Sequence, residues 1–253
     1  MRIFLQLEAI KDCEYDIMYF HKLQGFVYSL LKETEYNILH DKKGYKFFCF
    51  SNIFPVGTIK IGDIKNLLIS SPDHLFVKFL EEELKKLVDS GKAINIGEML
   101  FKVENVSLIK TKLGRNCRLI SATPIVIRIP EKNYDRYDIP QKFRKKRYVY
   151  WRPCYSFEAF IKQLEENLIK KYNEFYRTDI EEFPVFEQFI YKKSTCNHVV
   201  INYKEQKLIS SVWEFIFSHM DKERKKLLEF GLDCGFGERN SLGFGFMNVI
   251  KKR

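Results

Sequence analysis

A tyrosine, a histidine and a lysine stand within twenty residues of one another near the start of the chain: Tyr28, His40 and Lys46. Together they offer a phenol, an imidazole and an ammonium. That set suits cleavage of RNA without a metal ion. Such cleavage needs a base for the ribose 2′-hydroxyl, an acid for the departing 5′-oxygen, and positive charge beside the transition state. An imidazole, with an unperturbed pKa of ~6.5, serves as base or acid near neutral pH. A phenol donates or orients, and an ammonium supplies charge. Read alone, the same residues also fit a packing tyrosine and an ordinary surface histidine and lysine. His21 is the second candidate base. His74 follows a helix-start signal and reads as structural, while His198 and His219 lie far along the chain.

A second feature lies near the other end. Gly231, Gly235, Gly237, Gly243 and Gly245 gather five of the twelve glycines into the string GLDCGFGERNSLGFG. Glycine lets backbone approach a ligand closely and turn with positive φ, and exposed amides in such a loop cradle phosphate oxygens. Arg239, Asn240 and Ser241 add donors at its tip. A dinucleotide fingerprint is excluded, because it sits between a strand and a following helix, whereas this loop follows a helix and precedes a strand. A phosphate-binding P-loop is excluded too, since no Gly-Lys-Ser/Thr follows the glycines. The plain alternative is a turn that only connects helix to strand.

The third feature is QKFRKKRYVYWRP, residues 141–153. It carries Lys142, Arg144, Lys145, Lys146 and Arg147 without an acid, beside Phe143, Tyr148, Tyr150 and Trp151. Cations follow phosphates and aromatic rings stack on unpaired bases. The formal net charge of +10 agrees, and it is uneven: residues 1–115 hold 17 Lys+Arg against 15 Asp+Glu, residues 116–253 hold 26 against 18. Excess positive charge draws polyanions through counterion release. Nucleic acid is the obvious polyanion, and the plain alternative on charge alone is a basic protein that is merely soluble. No run of ~18 apolar residues and no basic amphipathic helix points to a membrane. The six cysteines are scattered with no CxxC, which argues against a disulfide scaffold or zinc ribbon. The opening stretch also lacks the apolar core of a secretory signal. Reduced thiols in a cytoplasmic protein, with no metal and no cofactor, are the expectation.

The elements that must position these groups follow from periodicity. Residues 2–8 alternate as a half-buried strand. Leu23, Val27, Leu30 and Leu31 recur at helical spacing, placing Tyr28 on a first helix and His40 in the irregular piece after it. Lys46–Phe54 and Asn66–Ser70 read as strands. Ser71-Pro72-Asp73 starts a helix, with Ser71 as the cap, and Gly91 stops it. Strands near 93–96 and 100–109 close the half. Strand, helix, strand, strand, helix, strand is the ferredoxin-like order. The second half repeats it more faintly. A strand spans Arg118–Ile129 with a break at Pro124, and a long helix is capped by Ser156. Strands follow at 185–192 and 198–203, joined by a turn at Ser194–Asn197, with another at 208–217. A helix from Asp221 closes at Gly231, and a last strand covers Leu242–Ile250. The expectation is an α+β chain of two tandem ferredoxin-like domains, 1–114 and 115–253, divided in the polar stretch KTKLGRNC.

GFGERNSLGFG closely resembles the C-terminal loop of the CRISPR-associated repeat-processing endoribonucleases of the RAMP superfamily. Their pattern is Gly-x-Gly, a polar stretch ending Asn-Ser or Thr-Ser, then Leu/Met-Gly-Phe-Gly. LQGFVYSLL resembles their first helix, and HDKKGYK carries their His-x5-Lys spacing as His40 and Lys46. The resemblance touches both ends of the chain and, in between, only the order of elements. It implies tandem ferredoxin-like domains, catalysis by Tyr28, His40 and Lys46, and an RNA-holding glycine loop. It further implies metal-independent cutting of CRISPR precursor transcripts within the repeat, leaving a 2′,3′-cyclic phosphate and a 5′-hydroxyl. The alternative is a non-catalytic RNA-binding subunit of a CRISPR effector complex, which has no need of the histidine and lysine. The sequence leaves open whether two copies pair as a homodimer.

Overall fold

The computed structural model describes residues 1–144, 146–201 and 204–250. The opening alternation becomes β1 (Arg2–Ala9), which buries Ile3, Leu5, Leu7 and Ala9 on one face, as a period of two requires. Helix α1 (Phe20–Leu30) buries Phe20, Leu23, Phe26 and Val27. Tyr28 follows Val27, roughly 100° round the helix, so its ring sits at the margin of the core, half-buried. Then come β2 (Cys49–Phe50), β3 (Ile64–Ser70), α2 (His74–Ser90), β4 (Ala93–Ile96) and β5 (Met99–Ile109). Their antiparallel sheet has the order β2-β3-β1-β5-β4. With β4 set aside as the first arm of a hairpin, this is the ferredoxin-like arrangement.

The second half contains β6 (Cys117–Ser121), β7 (Arg128–Pro130), β8 (Tyr148–Tyr150), α3 (Phe157–Tyr176), β9 (Gln188–Ile201), β10 (Lys204–Phe217), α4 (Lys222–Cys234) and β11 (Met247–Ile250). Its main sheet runs β11-β6-β10-β9, again antiparallel and ferredoxin-like, while β7 and β8 pair as a separate ribbon. Helix α3 packs Phe160, Leu164 and Leu168 into a core centred on Trp213, which stacks on Phe160. Ser156 caps α3 as expected, accepting from the Glu158 amide at 3.1 Å.

Several local expectations are corrected. The strand foreseen over Lys46–Phe54 shortens to Cys49–Phe50, because Phe47 turns with φ 52° and packs against Phe175 of α3. The cap of α2 is Asp73, whose carboxylate accepts from the amides of Leu75 and Phe76; Ser71 accepts from Asp73 instead. Ser194–Asn197 is mid-strand. Hydroxyl and amide groups of Thr195, Asn197 and Ser210 bond across the β9–β10 ladder, so side chains that suggested a turn are satisfied in extended backbone. Arg118–Ile129 is two short strands. Helix α4 runs through Gly231 to Cys234, and the last strand begins only at Met247. Tyr203, the expected end of one strand, lies outside the described residues.

The two sheets are locked together. Val199 and Leu208, from the far part of the β9–β10 hairpin, and Leu242 and Phe244, from the glycine-rich loop, are buried in the core of the first sheet. Phe244 stacks on Phe20 of α1 with centroids 5.0 Å apart. From β1, the buried Arg2 guanidinium donates to the carbonyls of Met247 (2.6 Å) and Leu232 (3.1 Å) and lies over the Phe246 ring. Among the described residues no helix is long and apolar enough to cross a membrane.

Candidate active site

The irregular segment after α1 folds back so that Lys46 reaches Tyr28. The Lys46 ammonium donates to the Tyr28 hydroxyl at 2.7 Å and to the His40 carbonyl at 3.0 Å. The His40 ring meets the Tyr28 ring edge-on, with centroids 5.3 Å apart, and its Nδ1 lies 2.7 Å from the Asp41 carboxylate. Burial holds the Tyr28 phenol far above its ordinary pKa, against a smaller lowering by the Ser241 hydroxyl. Burial also lowers the Lys46 pKa, opposed by Asp41. The three residues singled out from spacing are therefore in contact: a protonated phenol, a partly desolvated lysine and an exposed imidazole. Such a group can exchange protons and neutralise a developing oxyanion.

The cluster opens into a cleft of about 1080 Å³. His21 also lines it. Burial lowers the His21 pKa, and its buried Nδ1 has no hydrogen-bond partner among the described residues. The second half contributes Arg128, Lys171, Glu238, Arg239 and Ser241 to its lining. The glycine-rich loop and the trio thus line a single cleft.

The loop's inner workings differ from the expectation. Gly235, Gly237, Gly243 and Gly245 are buried, and the amides of Gly235, Gly243 and Gly245 donate to the carbonyls of Gly231, Asn240 and Pro124. Those three amides are already spent on protein carbonyls and are not available to cradle phosphate. The glycines' missing side chains admit protein. A Cβ on Gly243 would lie 2.3 Å from the Phe50 ring of the first sheet, and one on Gly245 1.9 Å from the Phe236 carbonyl. Asn240 is likewise spent inside, donating to the carbonyls of Phe236 and Phe244. The loop closes around a lysine that sequence reasoning missed. The Lys171 ammonium, fully buried, donates to the carbonyls of Gly235 (2.5 Å) and Gly237 (3.0 Å) and to the Asn240 Oδ1 (3.0 Å). A signal existed: Leu164, Leu168 and Lys171 continue the buried stripe of α3 at i, i+4, i+7. What the loop presents to the cleft is Arg239 and Ser241. The Arg239 side chain has no hydrogen-bond partner among the described residues, and its αL backbone (φ 60°) opens the turn that carries Ser241.

The basic stretch divides in the same way. Arg144 is structural: its guanidinium bonds the Ile139 carbonyl at 2.6 Å and pairs with Asp135. Trp151 is core, not a stacking platform, being 2% exposed and bonded to the Ser156 carbonyl. Lys142 lies over the Phe143 ring. Lys146 and Arg147 are exposed. Arg147 borders a second hollow of about 330 Å³ that shares Tyr45, Arg128 and Glu238 with the main cleft. Lys145 lies outside the described residues. Arg147→Ala should weaken RNA binding and lower the salt slope by about one, whereas Arg144→Ala should lower the melting temperature and leave that slope intact. Equal slopes for both variants would remove Arg147 from the RNA path.

Comparison with known proteins agrees with this architecture. The chain is 32% identical to the CRISPR-associated endoribonuclease Cas6 2 of Methanocaldococcus jannaschii over 99% of this chain and 100% of that one. Residues 102–249 match the family model described as CRISPR associated protein Cas6, C-terminal. The chain belongs to the Cas6 family. A Cas6 endoribonuclease of Haloferax mediterranei is 30% identical over 100% of this chain and 94% of its own length. The product of a Cas6-related gene from Pyrococcus furiosus superposes with a TM-score of 0.72 at 22% identity, covering 100% of this chain and 99% of that one. The tandem ferredoxin-like fold is thus the Cas6 fold, and the glycine-rich loop lies within the part matched by the Cas6 family model.

Proposed function

We propose that this chain cuts CRISPR precursor RNA within its repeats, without a metal ion, by attack of the ribose 2′-hydroxyl on the adjacent phosphorus. As a member of the Cas6 family the chain is an endoribonuclease that processes CRISPR RNA. In the proposed step the 2′-oxygen–phosphorus bond forms and the bond from phosphorus to the 5′-oxygen breaks. A base takes the 2′-proton, an acid returns one to the 5′-oxygen, and the products end in a 2′,3′-cyclic phosphate and a 5′-hydroxyl. His40 is the base or acid. Tyr28, protonated at neutral pH, donates to or orients the reacting phosphate, and Lys46 balances its charge. The observation that carries this reading is the direct contact of Lys46 with Tyr28 beneath the His40 ring.

In this reading residues 1–114 supply the catalytic groups, and residues 115–253 supply cations that grip the RNA, chiefly Arg239, Lys146 and Arg147. The reaction takes place in the cytoplasm. Labelled repeat RNA incubated with the protein in EDTA should be cut at one site. RNA carrying deoxyribose just 5′ of that site should bind and stay whole. Cutting of the deoxy substrate would rule out the 2′-hydroxyl mechanism, and loss of cutting in EDTA would rule out metal independence.

A further inference from the structure

Two residues outside the trio converge on the Tyr28 hydroxyl. Gln24 lies one helical turn before Tyr28, on the same face of α1. Its side-chain amide Nε2 is 3.4 Å from the Tyr28 oxygen, 3.2 Å from the Ser241 Oγ and 2.9 Å from the Ser241 carbonyl. Ser241 comes from the glycine-rich loop, more than two hundred residues away in sequence. It has little freedom there. Asn240 before it is tied to Lys171 and to two loop carbonyls, and Leu242 after it is buried in the core of the first sheet. Lys46 approaches the Tyr28 oxygen at 2.7 Å. A phenol oxygen accepts through two lone pairs and donates one proton. Lys46 and Gln24 thus approach the Tyr28 oxygen as donors, the lysine closely and the glutamine at the long end of hydrogen-bond range, and hold the hydroxyl between them.

We propose that Gln24 and Ser241 are positioning residues that fix the Tyr28 hydroxyl, so that the glycine-rich loop of the second half completes a catalytic centre built in the first. This rests on the endoribonuclease reading above and adds two residues to it. Gln24 supplies the hydrogen bond and Ser241 anchors Gln24. Neither exchanges a proton with the substrate. The loop's contribution to cutting is then geometric, delivered through one serine and one glutamine.

The test is a double-mutant cycle on repeat RNA. Gln24→Met keeps the side chain's length and removes its donors; Ser241→Ala removes the hydroxyl; each is combined with Tyr28→Phe. Single-turnover rates are read at saturating protein, and affinity is read on the RNA blocked by 2′-deoxyribose. Gln24→Met and Ser241→Ala should each slow cutting about 3- to 10-fold, the range that one neutral hydrogen bond contributes, with affinity held within about twofold. In the Tyr28→Phe background neither should slow it further, and Ser241→Thr should recover most of the rate. Equal losses with and without the Tyr28 hydroxyl, a loss seen only in affinity, or a Tyr28→Phe protein as fast as wild type would each overturn the positioning role. Wild-type protein that leaves repeat RNA whole would instead overturn the parent reading.

Discussion

Replacing His40 by alanine should lower the single-turnover cleavage rate about 10²-fold or more, the contribution expected of a general acid or base, while the protein folds and binds RNA as before. The site makes this a clean experiment. The imidazole is 65% exposed and, among the described residues, its side-chain hydrogen bond is to the still more exposed Asp41, so its removal leaves no buried group unpaired. Surface changes of this kind stay within roughly ±0.5 kcal/mol of stability. Lys46 does not depend on the ring, because it is tied to the His40 backbone carbonyl. The measurement is the rate at saturating protein, beside the affinity for RNA blocked at the 2′ position. An unchanged rate would move proton transfer to Tyr28 or to His21, which lines the same cleft.

The second large effect concerns folding. Gly243→Ala should lower the melting temperature by several degrees and abolish cutting. The residue holds φ 86°, and a methyl group there would stand 2.3 Å from the Phe50 ring. Positive φ in a residue with a side chain costs ~1–3 kcal/mol, and overpacking a filled core costs a further ~1–3 kcal/mol. For a chain of this length each kcal/mol shifts the melting temperature by ~2–4 °C. Ser241→Ala, two residues away at the cleft wall, should leave stability nearly unchanged and serves as the control. If Gly243→Ala melts with the wild type, the loop is not the wedge between the two sheets.

The loop shows where sequence stops being informative. A missing Cβ permits close approach, but it does not say of what. The same glycines that read as room for phosphate are room for Phe50 and the Phe236 carbonyl, because the neighbour that fills the space comes from elsewhere in the chain. Lys171 is the complementary case. Its place on the buried stripe of α3 was visible, yet a lysine at such a position usually lifts its charge to solvent, and only the ring of loop oxygens keeps it inside. The trio was legible for the opposite reason. His40 and Lys46 are six residues apart on one short segment next to the helix bearing Tyr28, so local spacing nearly determines their meeting. Element order was equally legible, since periods of two and of about four survive in both halves. The β9–β10 hairpin was misread because its cross-strand polar pairs look, one strand at a time, like a turn.

Burial of Leu242 and Phe244 in the first core also sets an order of events during synthesis. Strand β5 ends at Ile109, yet the core beneath α1 lacks these residues until the ribosome has added well over a hundred more. At ~5–20 residues per second that interval lasts roughly 7–27 s. Through it Phe20 has no stacking partner from the loop, and Tyr28 and Gln24 have no Ser241. The nascent chain therefore carries Tyr28, His40 and Lys46 early and brings Ser241 to Gln24 beside them only once the glycine-rich loop has been made.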